Sequence, residues 1–469
     1  MAGAMLTIGG AFNSQVGIVS VPSSFLGDTS STSGSLNYLL EKYLVSLTSS
    51  IQGGTYAFEN NDIAASSDFS SVPASVSGSF EEFTNTDTVG GISTVSANGS
   101  YSVSSGVTDV VVQAPGDVTL AGNGTTKFAL FGAGSNVTYT QSTGGSASIV
   151  AAGGTDVIRD LAMNVNDTVW SGGNDLVSFN GINGNDVLNA DGNATTTVLI
   201  GGSNSVTVTA SDNAKVDVLF FQRAGGSLDF INNSSQAQTI YSGAYANGGY
   251  AANSVTVNAG AGGGYYVGGR AGVNSLVGGA GAVTLIGGGV NDTLIGSAST
   301  GGSAGFNNVL VGGPGAETLI GASGSGSNAF EIGTYSAGIG AYQASGLVST
   351  SGSGLQVFNV GSTNGETIAG SNVAGASNIY QVIDDTSVSI TGSSLEITNF
   401  SGNSTINLVD STLTAPGASS ISGIVTDYRF GGTDINLADG TQIILKGVSL
   451  SHVATIGGGS GITSIVYNT

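Results

Sequence analysis

Gly278-Gly279-Ala280-Gly281-Ala282-Val283-Thr284-Leu285-Ile286 is followed without a gap by Gly287-Gly288-Gly289-Val290-Asn291-Asp292-Thr293-Leu294-Ile295. The period is nine. The unit returns as Gly312-Gly313-Pro314-Gly315-Ala316-Glu317-Thr318-Leu319-Ile320, and with small insertions in the stretches ending at Leu276, Leu310 and Phe330. In each unit a glycine-rich half supplies a sharp turn that uses positive φ, and an apolar half supplies a short strand whose middle side chain faces a core. Two such units close one coil. Coils stacked at about 4.8 Å bury an interior that no single unit possesses. This register predicts that Leu276, Leu285, Leu294, Leu310, Leu319 and Phe330 are buried, with Val283 and Asn274 in turns.

Outward from this core, strand-like units between turn residues extend the pattern upstream: Thr108–Val112, Gly116–Leu120, Lys127–Phe131 and Asn136–Thr140. A solenoid over 100–335 follows, of roughly a dozen coils and on the order of 60 Å long at strand spacing. Residues 336–469 read as a glycine- and serine-rich continuation that ends in a β-rich C-terminal region. Residues 1–99 read as a distinct α+β N-terminal region. Its one helix is signalled by Leu36, Leu39, Leu40, Tyr43, Leu44, Leu47 and Ile51, which share a helical face, with Gly53-Gly54 as a stop. Such a helix either caps the open end of the solenoid or docks into a neighbouring subunit. The expected fold class is all-β, a right-handed parallel β-solenoid with this small α+β region at its start.

Composition narrows the function. The chain has 469 residues, of which 79 are glycine and only 8% are charged, yet 30 acidic against 8 basic side chains leave a net charge of −22. That balance argues against nucleic acid as a partner. A hydrophobic content of 40% with only five prolines argues for a folded chain. There is no cysteine, which removes disulfides, thiolate metal sites and thiol nucleophiles together. No run of eighteen apolar residues occurs, so no membrane-spanning helix is expected, and Met1–Gly10 carries neither the basic residue nor the apolar stretch of a cleaved signal peptide.

The nine-residue unit resembles the G-G-x-G-x-D-x-U-x repeat of RTX (hemolysin-type) secreted proteins. The segments Ser394–Phe400 and Phe430–Val448 resemble the C-terminal end of that class. The resemblance implies a calcium-binding parallel β-roll, an uncleaved C-terminal signal read by a type I exporter, and an extracellular or cell-surface location. At the sixth position this chain has Asn274, Val283, Asp292, Asn308, Glu317 and Asn328, so Asp292 alone keeps the family's residue. Upstream, Asp156, Asp167, Asp175 and Asp186 each directly precede a strand-like segment, at spacings of 11, 8 and 11. Alternating long and short turns then bring Asp156 near Asp175 and Asp167 near Asp186 on adjacent coils. The candidate Ca2+ ligands are these four and Asp292, because a hard cation takes six to eight oxygens. The competing reading is that Asp and Asn cap tight turns through backbone amides, and that asparagines on stacked coils form a neutral amide ladder.

Catalysis finds little support. His452 is the only histidine, and Glu81 and Glu82 are adjacent on an expected strand, where neighbours point to opposite faces. A non-enzymatic role is expected: a secreted structural protein that self-assembles into a surface layer, filament or biofilm matrix, with the N-terminal region as a principal subunit contact. The alternative is a monomeric calcium-binding adhesin or effector that recognises a surface polysaccharide.

Overall fold

The computed structural model describes residues 4–12, 15–21, 56–60, 80–85 and 91–95 and most of 98–468, where the longest stretches left out are 243–252, 299–305, 334–343, 385–393 and 411–420. The helix expected over 36–51 lies outside the described residues. Among the described residues the sole helical turn is the 3₁₀ segment Leu450–His452, and the regular structure is otherwise strand. The chain divides into two compact units, 1–229 with 233–235, and 230–232 with 236–469.

In the first unit the chain alternates between two parallel ladders. One holds Asp109–Val112, Phe128–Phe131, Ser148–Ala151, Thr168–Ser171, Asn185–Ala190 and Ser205–Ala210. The other holds Gly99–Ser102, Asp117–Ala121, Asn136–Gln141, Val157–Asp160, Asn174–Phe179, Thr195–Ile200 and Lys215–Phe220. Each coil gives one strand to each ladder, which is the parallel β-solenoid. The side-chain alternation explains why these segments are strands. In Thr195–Ile200 and Lys215–Phe220 every second residue is buried, and the intervening positions are mostly polar. Tyr139, Phe131, Phe179 and Phe220 fill the space between the ladders. At the N-terminal end Gly91–Val95 joins the first ladder in parallel, and Phe80–Asn85 and Tyr56–Asn60 add to it antiparallel in turn.

The second unit repeats this plan, and the nine-residue register shows in it directly. Successive units fall on opposite ladders, so Leu276, Leu294 and Leu319 pair in one column and Leu285, Leu310 and Phe330 in the other. All six are at most 2% exposed. Parallel pairing runs on past residue 335, through Ala344–Gly352, Glu366–Ala369 and Ser394–Thr398 on one side and Leu355–Val360, Ser377–Asp384 and Ser404–Asp410 on the other. Phe330 stacks on Phe358 at 4.9 Å and Phe358 on Tyr380 at 4.8 Å. These ring separations match the coil spacing of about 4.8 Å. The C-terminal end then leaves the coil path: Gln442–Leu445, Gly432–Leu437 and Ile421–Asp427 extend one ladder, and Ile462–Tyr467 and Val453–Gly457 the other.

Two details depart from expectation. Val283 is not in a turn: it opens the strand Val283–Ile286 and is 3% exposed. Side chains alternate along a strand, so the sixth and eighth positions of the unit face the same way, and the sixth is as interior as Leu285. The glycines differ too. Of those between 278 and 289 only Gly288 has positive φ. Close approach of coils accounts for Gly278, Gly279, Gly281 and Gly289, and Gly287 leaves room for the Asp292 side chain; a Cβ on Gly279 would lie 1.7 Å from the Gly260 carbonyl oxygen.

Candidate functional site

Because the sixth position faces inward, its polar residues become buried columns. Asp156 and Asp175 share one column and Asp167 and Asp186 the other, as their spacing predicted. None of the four is more than 3% exposed. The amide of Val137 donates to Asp156 Oδ1 at 2.7 Å, and the amide of Asp156 donates to Asp175 Oδ1 at 3.0 Å. On the opposite ladder, Ala147 donates to Asp167 at 2.7 Å and Asp167 to Asp186 at 3.0 Å. Every carboxylate therefore stitches its coil to the one before. Asp175 Oδ2 also accepts from Ser171 Oγ at 2.6 Å, and Asp186 Oδ2 from Asn204 Nδ2 at 2.8 Å.

The second unit carries the same device with different residues. Asn274, Asp292 and Glu317 align on one ladder, where Asn274 Nδ2 donates to Asp292 Oδ1 at 2.9 Å. Gly346 follows Glu317 in register, and Glu366 follows Gly346. Across the core, Asn308, Asn328, Gln356, Asn378 and Ser404 align. There Asn308 Nδ2 donates to Asn328 Oδ1 at 2.8 Å, and Asn328 Nδ2 to Gln356 Oε1 at 2.6 Å. Asn308 and Asn378 further bond the backbone of Ser297 and Ser371. This is the neutral amide ladder that the asparagines suggested.

Burial dominates the electrostatics. It raises the carboxyl of Asp156 to about 8, helped by the charge of Asp175, and that of Asp167 to about 7, helped by Asp160 and Asp186. Asp186 and Asp160 rise to about 6, and Asp175 and Asp292 are raised by the same cause. Burial likewise lifts Glu317 to about 8 and Glu366 to about 7. Among the described residues, one oxygen each of Asp156, Asp160, Asp167 and Glu366 meets no hydrogen-bond partner. The ion pairs among the described residues are Lys215–Asp217, Arg429–Asp427 and Lys446–Glu396, and none reaches these columns. Burial without a counter-charge favours the neutral, protonated form of these carboxyls.

Calcium fits this donor set poorly. One oxygen of each upstream aspartate already accepts an N–H, and among the described residues no three acidic or histidine side chains converge. Converging carboxylates alone therefore do not supply the six to eight oxygens of a calcium site. Asp175 and Asp292 each accept an amide of their own turn, from Gly173 and Gly289, whereas Asp156, Asp167 and Asp186 accept amides of the neighbouring coil, so the turn-capping reading holds for two of the five. Glu366, Asp160, Gln356 and Asn378 were not singled out from the sequence. Their signal is a polar residue two before a core apolar one, as in Glu366-x-Ile368 and Asn378-x-Tyr380. His452 lies on the surface turn, stacked on Tyr467 at 5.2 Å and bonded to Ser449. Compared with protein-family models, with curated proteins and with solved structures, the chain matches none. The likeness to RTX proteins therefore rests on the nine-residue register itself.

Proposed function

We propose that the protein is an extracellular structural element that self-assembles into a surface layer, filament or matrix. The observation that carries this reading is the commitment of the interior. Its buried polar groups bond coil to coil, and its apolar groups stack in columns, so the core's residues serve cohesion along the coil axis. Such a chain suits a load-bearing or barrier role. The absence of cysteine means that subunits join by packing, backbone pairing or charge, and a net charge of −22 opposes them until it is screened.

Sedimentation velocity of the purified full chain tests the reading. Assembly is expected to grow with protein concentration and with ionic strength, and to be unchanged between calcium and a chelator. A chain that sediments as a monomer under every one of these conditions would refute it.

A further inference from the structure

We propose that residues 36–51 form a helix that covers the outer side of one ladder of the first unit, over Val150 and Trp170. Val169 and Ser171 are fully buried between the ladders, so Trp170, between them on Thr168–Ser171, stands on the opposite side. Val150 is its register partner on Ser148–Ala151. An outer side stays open to water unless another element packs on it, and the next two positions of this row, Asn189 and Thr209, are only half-buried. Trp170 is nevertheless 8% exposed and Val150 1%. Whatever covers them stops short of Asn189. Trp170 Nε1 meets no acceptor among the described residues, as an apolar cover would leave it.

The backbone register carries this outer side back to the N-terminal end. The row of Trp170 and Val150 continues through Leu130 and Val111. The adjoining outer row passes from Ser148 through Phe128, Asp109, Ile92 and Phe83 to Phe58. The row between them, which holds Ile149 in the coils, instead reaches Ser93, Glu82 and Glu59. The added strands Phe80–Asn85 and Tyr56–Asn60 thus put phenylalanine on the outer register and glutamate on the inner. A sheet with one apolar side packs that side against something.

Sequence and tether name the occupant. Residues 36–51 have a single apolar helical face, running from Leu36 to Ile51, and their only charges, Glu41 and Lys42, fall off it. Sixteen residues make a helix of about 24 Å. From Tyr56–Asn60 to Thr168–Ser171 the ladder spans six strand spacings, about 29 Å. Only Gln52 to Thr55 separate Ile51 from the outermost strand. The helix therefore starts at that edge and lies across the strands, and its first turn, Leu36 to Leu40, falls over Val150 and Trp170.

Trp170 is the only tryptophan, so its fluorescence reads the cover in the full chain. The wild type is expected to emit to the blue of free tryptophan and to resist acrylamide, unchanged on dilution. Leu36→Glu with Leu40→Glu is expected to shift emission to the red and raise the quenching constant several-fold, while the coils stay folded by circular dichroism. Ile8→Glu, in the hairpin Ala4–Phe12 with Gln15–Val21, is expected to change neither. The chain lacks cysteine, so full-length L36C/N189C is expected to cross-link within single chains through a short bis-maleimide. Its yield should exceed that of L36C/T197C, whose second thiol lies on the other ladder. Wild-type emission matching free tryptophan, no response to L36E/L40E, or equal cross-linking yields would overturn the proposal. So would a red shift on dilution, which assigns the cover to a second copy, or a red shift in I8E, which assigns it to the hairpin.

Discussion

At the residue scale the deciding fact is that the sixth position of the repeat is a core position. Asp156, Asp167, Glu317 and Glu366 face the same interior as Ile158, Val169, Leu319 and Ile368 two residues later, and burial raises all four. Their folded-state values, about 7 to 8, exceed the ordinary carboxylate range near 4. Between those limits the folded chain holds protons that the unfolded chain has released. The stability these groups confer is therefore fully present below about pH 4 and falls as pH rises toward 8, by up to a few kcal/mol for each group. Circular-dichroism melts from pH 4 to 9 should show a melting temperature that declines through this window. Asp156→Asn with Glu317→Gln should flatten the decline and raise the melting temperature at pH 8, since the Asn308–Asn328–Gln356 column shows that amides satisfy the same position. A melting temperature that rises with pH would contradict the protonated columns.

At the element scale the repeat unit is a turn and a strand whose two inward residues do different work. The eighth position packs and the sixth, where it is Asp or Asn, bonds to the neighbouring coil. Leu285→Asp places an unpaired charge in a dry column and should cost roughly 3 kcal/mol or more. Gly279→Ala should cost about 1–3 kcal/mol for a different reason, because its Cβ would meet the Gly260 carbonyl of the adjacent coil. Urea unfolding of the full chain measures both, and a neutral Gly279→Ala would mean that the coils do not approach as described. Much of this was legible beforehand. The period of nine, the six buried U residues and the pairing of Asp156 with Asp175 all follow from spacing alone. The inward sixth position is not legible, because it follows the glycine-rich half directly and stands before the apolar run that marks the strand. Gln356 and Asn378 escaped because long connections break the period around them, although each still stands two residues before Phe358 or Tyr380. The antiparallel ends were illegible for a plainer reason: Ile462–Tyr467 pairs with Ser404–Asp410 across more than fifty residues, and nothing local encodes that partner.

At the scale of the whole molecule, cohesion comes from repetition, and each ladder asks for a next strand wherever it stops. Within each unit the ladders continue by adding coils, and antiparallel strands are added at the N-terminal end of the first unit and the C-terminal end of the second. Among the described residues the last of these, Tyr56–Asn60 and Val453–Gly457, pair on one side. A chain that is strongly acidic, free of cysteine and built of stacked columns is suited to extend by the same pairing that holds its coils. Negative-stain electron microscopy of the purified full chain, at rising concentration and at an ionic strength that screens its charge, tests this most directly. The account predicts ordered assemblies, filaments or sheets with a regular subunit repeat. A field of isolated single particles at every concentration would contradict it.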